Sequence, residues 1–139
     1  PLISSDKEGS NMTISEVSKE FELTQDTLRY YERVGMIPRV NRTKSGLRDY
    51  TKEDRSWVEL AKCMRSAGLP VEVMIEYLQL TQQGDETIPA RHELLVEQRE
   101  HLLAQKAAIE NTLDRLNYKI AHYEDALETG VLNWDHDEI

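Results

Sequence analysis

At 139 residues with a mean hydropathy of −0.63, the chain is about one domain long and holds no apolar run able to span a bilayer, so a cytoplasmic protein without a membrane partner is expected. A single cysteine, Cys63, excludes an internal disulfide and a cysteine-rich metal site within one chain. The net charge of −9 is unevenly placed: Arg29 to Arg48 holds six basic residues against Glu32 alone, whereas Lys52 onward holds 9 basic and 18 acidic residues, which makes a basic patch on an acidic body.

The polar stretch 1–11, PLISSDKEGSN, lacks the charged start and apolar middle of a secretion signal and reads as a flexible leader. Thr13 with Glu16 three residues on has the spacing of a capping box, which predicts a first helix. Thr24 can cap a second, Asp26 suits its first turn, and Gly35 can end it in the left-handed conformation. Two short helices so joined make a helix-turn-helix. Pro38 blocks continuation, and Gly46 suits a turn between short strands near Arg39–Arg42 and Leu47–Tyr50, a basic hairpin or wing that completes a DNA-binding region over 12–51.

Over 52–88 a connecting helix pair is expected. Thr51 caps the first of the two, with Asp54 three residues later, Gly68 as stop and Trp57, Leu60, Ala61 and Met64 at core spacing; the second runs from Pro70 to Gly84. From 89 to 129 there is neither proline nor glycine after Pro89, and one helix of about 60 Å is expected. Along it Leu95, Leu102, Ile109, Leu116 and Tyr123 recur every seven residues, with Leu113, Ile120 and Leu127 at the companion offset. Arg99 and Lys106 interrupt that companion row near its start. Such a stripe cannot be buried by its own short head, so a homodimer through this helix is the economical reading. The acidic tail 130–139 follows, in which Trp134 reads as part of a frayed end, with docking on the body as the alternative.

Within TLRYYERVGMI, two consecutive helical positions point about 100° apart, so Tyr30 and Tyr31 cannot share one buried stripe. At least one is expected to face a partner; Tyr31 has an alternative place packed under the wing. A tyrosine offers a flat ring to sugars and bases and a hydroxyl to phosphate, while Arg29 and Arg33 supply the charge that phosphate contacts need. A helix-turn-helix with a basic hairpin, in a dimer, sets each second helix to enter a major groove of double-stranded DNA and each wing to reach the flanking backbone.

The run ISEVSKEFELTQDTLRYYERVGMIP, followed by R-x-x-x-G-x-R-x-Y from Arg42 to Tyr50, resembles the MerR family of bacterial transcription regulators, and the order of elements matches over Met12 to about Glu128. The resemblance implies an all-α fold with a small β-hairpin wing and an antiparallel coiled-coil dimer. It implies binding of a two-fold symmetric promoter site that is bent and untwisted so that RNA polymerase can engage both promoter elements. Thr27, Arg29 and Tyr30 match the recognition-helix motif, and Arg42, Lys44, Arg48 and Tyr50 match the wing; Arg48 could instead pair with Asp49 or Glu32.

Metal-responsive members carry cysteines at the start of the dimerisation helix and after its end, and this chain has none there, so no metal or cofactor is expected; the four scattered histidines read as surface groups. Drug-sensing members carry a large ligand domain, and with only about ten residues after the long helix that class is not expected. Cys63, in AKCMRSAG, has two open readings: a small buried hydrophobe, or the thiol that the resemblance to the aldehyde- and thiol-stress branch makes a sensor, with Lys62 and Arg65 nearby in sequence. An enzyme is not expected, since no nucleophile stands with a paired base and there is no glycine-rich phosphate loop. A coiled-coil adaptor, the reading from another class, would need neither the basic wing nor the aromatic pair.

Overall fold

The computed structural model describes residues 10–134, which divide into two compact units between Val96 and Glu97. In the first unit α1 (Ile14–Phe21) begins with a complete capping box: the Thr13 hydroxyl accepts from the Glu16 amide at 3.2 Å, and Glu16 Oε1 accepts from the Thr13 amide at 3.0 Å. It ends at Glu22, a non-glycine residue at φ 54°, held there by the Leu23 amide donating to the Ser18 carbonyl and the Ser18 hydroxyl donating back to the Leu23 carbonyl. α2 (Gln25–Val34) is capped by Thr24 and closed by Gly35 at φ 87°, a conformation that a Cβ would strain.

The wing is shorter than the expected strands. β1 (Asn41–Arg42) pairs antiparallel with β2 (Arg48–Asp49), across a turn in which Gly46 sits at φ 88°. Strand pairing stops there because the flanking backbone is engaged elsewhere: the Val40 amide donates to a Glu32 carboxylate oxygen, and Tyr50 exchanges both backbone hydrogen bonds with Met12, at 2.9 and 2.8 Å. The segment before α1 therefore extends the wing. Asn11 donates to Asp49 at 2.9 Å and the Ser10 carbonyl accepts from Arg55 at 3.0 Å, so residues 10 and 11 are part of the folded unit and not leader; residues 1–9 lie outside the described residues.

α3 (Lys52–Ser66) starts with the Thr51–Asp54 capping box, and α4 (Val71–Gln83) follows Pro70 and ends at Gly84. The core joins Val17, Phe21, Leu28, Tyr31, Met36, Tyr50, Val58 and Met74, all at most 5% exposed. The buried stripe of α3 is not the expected one. It runs through Arg55, Val58, Ala61 and Met64, whereas Trp57 and Leu60 are only half-buried and the Trp57 ring rests against Tyr77 of α4 at 5.6 Å. Arg55, 1% exposed, takes a core position by donating from Nη1 to the carbonyls of Ser10 and Tyr50, and that choice rotates the stripe.

After a single 3-10 turn at Asp85–Thr87, α5 runs unbroken over Ile88–Thr129 and ends at Gly130, whose amide donates to the Ala126 carbonyl. In the second unit Trp134 is not frayed. Its ring stacks on His122 at 5.0 Å and 21°, meets Tyr123 edge-on at 5.7 Å and lies under the Lys119 ammonium at 4.6 Å. His122, half-buried against Tyr118 and Trp134, is thus a packed group and not a free surface histidine; residues 135–139, with His136, lie outside the described residues.

Candidate nucleic-acid interface

The N-terminal ends of α1 and α2 and the wing converge on one groove of about 350 Å³, walled by Thr13, Ser15, Gln25, Arg29, Arg42 and Arg48 among others. Each of those residues is delivered by local sequence. The Thr13 and Thr24 caps begin two helices at the groove, where the helix dipole favours an anion. Arg29 is pre-oriented along α2 by donating to Asp26 at 2.9 Å and Gln25 at 3.2 Å, with its side chain 42% exposed. From the wing, Arg42 donates to the Gly46 carbonyl at 3.0 Å, which folds it across the turn, and Lys44 stands exposed near the tip.

Arg48 holds α2 to the wing. Its Nε donates to Glu32 Oε1 at 2.7 Å while the other oxygen of that carboxylate accepts from the Val40 amide at 3.0 Å. The two side chains are 19% and 12% exposed, so this pair is shielded from solvent, unlike the weak surface contact its sequence alternative would suggest. Glu32 was not among the expected site residues. Its being the sole acid in a run of six basic residues was the available signal.

The adjacent tyrosines separate as their 100° offset requires. Tyr30 is 37% exposed, with the Arg33 guanidinium 5.4 Å from its ring centre, and faces outward. Tyr31 is 5% exposed and Tyr50 is fully buried, so neither ring is open to a nucleic acid, and the expectation of direct contacts from these two is corrected: both serve the core beneath the groove. Burial raises the pKa of Tyr31, against the opposing pull of the Arg65 charge. Thr27, half-buried, shares its hydroxyl with that of Thr24 at 2.8 Å and so lies in the first turn of α2 beside the groove.

Tyr50 carries a testable signature. Its hydroxyl is buried without a hydrogen-bond partner among the described residues, and desolvation, offset in part by the Arg48 charge, pushes its pKa up to about 12 from 10.0. Between those values the unfolded chain gives up a proton that the folded chain keeps, so stability falls as pH rises from about 10 to about 12. Tyr50→Phe removes that alkaline decline and leaves stability at pH 7 within about 1 kcal/mol of the parent, since no hydrogen bond is removed. Denaturation midpoints of both proteins across pH 8–12 check this; parallel curves would refute the assignment.

Cys63 lies exposed on α3, which corrects its reading as a buried hydrophobe. It borders a cleft of about 330 Å³ with Glu20, Glu22, Glu59 and Lys62. Lys62 donates to the Phe21 carbonyl at 2.5 Å at the C-terminal end of α1, and Arg65 donates to the Leu69 carbonyl at 2.6 Å, so each nearby cation already serves a backbone oxygen. Along α5, Leu95, Ile109, Leu113, Leu116, Ile120, Tyr123 and Leu127 are 40–85% exposed, and Leu102 is half-buried.

A family model, the MerR HTH family regulatory protein, matches residues 12–81. The chain is 53% identical over 92 residues to the HTH-type transcriptional regulator AdhR of Bacillus subtilis, a match that spans 66% of each protein. It resembles the crystal structure of a MerR family transcriptional regulator from Listeria monocytogenes, with 40% identity and a TM-score of 0.82 over 86% of this chain and 90% of that one. It also resembles HiNmlR, a MerR family regulator lacking the sensor domain and bound to promoter DNA, with 30% identity and a TM-score of 0.78 over 88% and 97% of the two chains.

Proposed function

This chain belongs to the MerR family of helix-turn-helix transcriptional regulators, and from that premise we propose that it binds a palindromic promoter site as an antiparallel coiled-coil homodimer and distorts the DNA there to control transcription by RNA polymerase. Residues 12–51 read the DNA, 52–88 link, and 89–129 pair with the second copy. The observation that carries this reading is the groove, in which Arg29, Arg42 and Arg48 meet the N-termini of two helices while Tyr30 stands outward beside them. Arg29, Arg42 and Lys44 contact phosphates, Thr27 and Tyr30 approach the groove edge, and Arg48 sets the wing through Glu32.

The effector is a reactive aldehyde and Cys63 is its receptor. The exposed thiol in its cleft supports this: the sulfur adds to the carbonyl carbon, the former carbonyl oxygen takes the thiol proton, and a hemithioacetal results. In vitro transcription from the cognate promoter, with and without formaldehyde, should switch for the wild type and stay at its basal level for Cys63→Ala. An equal response of both proteins, or of neither, ends the sensor role and leaves DNA binding intact. Binding to a palindromic operator several kcal/mol tighter than to random DNA tests the regulator itself.

A further inference from the structure

The stripe on α5 is self-complementary in one orientation only, and its two charged residues account for that. The stripe alternates steps of four and three residues, from Leu95 through Arg99, Leu102, Lys106, Ile109, Leu113, Leu116, Ile120 and Tyr123 to Leu127. A two-fold axis through Asn111, perpendicular to the helix, brings every member opposite another: Leu95 faces the partner's Leu127, Leu102 the partner's Ile120, and Ile109 the partner's Leu113. The same axis sets Lys106 against the partner's Leu116 and Arg99 against the partner's Tyr123. No residue meets a like charge. A parallel pair in register would instead stack Arg99 on the partner's Arg99 and Lys106 on the partner's Lys106, two like-charge layers inside a drying seam.

We infer that Arg99 and Lys106 are orientation determinants, which admit a second copy of this chain only in the antiparallel register centred on Asn111 and seat the Arg99 guanidinium on the partner's Tyr123 ring. The inference rests on the dimer proposed above and names what selects its geometry. Arg99 is free to do so: its one described ion pair is a loose 3.6 Å contact with its chain neighbour Glu100, and both side chains are more than 60% exposed. Tyr123 is 54% exposed and its ring packs steeply against Trp134 at 5.7 Å, which limits its rotation while leaving much of the ring open to a cation. Lys106, with a long apolar stem, can lie along the partner's Leu116 and extend its ammonium to water at the seam's edge.

The test uses full-length chains in a Cys63→Ser background, which removes the native thiol. Chains with Leu102→Cys are co-produced with chains with Ile120→Cys and oxidised. A disulfide between the two kinds of chain is expected, while Ile120→Cys alone gives none, since in the antiparallel pair its two copies stand roughly 27 Å apart. Adding Arg99→Leu and Lys106→Leu should then raise self-crosslinking of Ile120→Cys at least about tenfold, as the parallel pair becomes accessible. An unchanged pattern in the doubly substituted protein overturns the inference and leaves the antiparallel dimer standing. Self-crosslinking of Ile120→Cys with both cations present overturns it as well. A monomer in sedimentation equilibrium defeats both this inference and the dimer beneath it.

Discussion

Replacing Arg55 with alanine lowers the unfolding free energy by about 3–5 kcal/mol, read from urea denaturation followed by circular dichroism. The guanidinium is 1% exposed, and its Nη1 group donates to the carbonyls of Ser10 and Tyr50, the two backbone oxygens where the segment before α1 meets the end of the wing. Alanine withdraws charge-assisted hydrogen bonds from both and leaves a void where a long side chain was packed. Arg55→Lys recovers only part of the loss, because a lysine cannot present the same planar set of donors. A loss below about 1 kcal/mol for Arg55→Ala would mean that the Met12–Tyr50 backbone pairing and the Asn11–Asp49 hydrogen bond suffice to hold the junction of these segments.

Removing both Arg29 and Arg42 lowers affinity for the operator on the order of 10²–10³-fold at about 0.15 M salt and reduces the slope of log K against log salt by about 2, one unit for each phosphate no longer neutralised. The charge-neutral pair of substitutions Arg48→Ala with Glu32→Ala behaves differently. It weakens binding by freeing the wing from α2 and leaves the slope within about half a unit of the parent. Titrations at several salt concentrations separate the two kinds of residue. If the Arg29 and Arg42 substitutions leave the slope unchanged, those side chains do not meet phosphate.

Features that depend on near neighbours were legible in the sequence itself. Thr13 with Glu16, Thr24, Thr51 with Asp54, and Gly35 each act within a turn or so, and each caps the helix its spacing announces. The wing was legible as a hairpin, but its length was not, because Val40 and Tyr50 are engaged by Glu32 and Met12, the latter 38 residues away in sequence. The 100° rule required Tyr30 and Tyr31 to part; which of them turns inward is decided by how α2 lies on the rest of the core, and no local pattern carries that. Cys63 is the sharpest case. Its exposure follows from the phase of the α3 stripe, and that phase is hidden because an arginine, Arg55, occupies a position where the pattern seeks an apolar residue. The Arg48–Glu32 pair joins residues 16 apart, and what makes it matter is its shielding from solvent, a tertiary property.

The double grip of Glu32 also bears on chimeras. A designer wishing to retarget the protein would exchange α2 as a cassette, treating the helix as the specificity element and the hairpin as a separate accessory. With one carboxylate oxygen committed to Arg48 and the other to the Val40 amide, the cassette boundary cannot be drawn at the end of the helix. A donor helix without an acid at this position would leave an arginine uncompensated and a backbone amide unpaired at the root of the hairpin. The smallest portable module therefore runs from Thr24 through Tyr50, and any retargeting library built on this scaffold should vary its outward positions with Glu32 and Arg48 held constant.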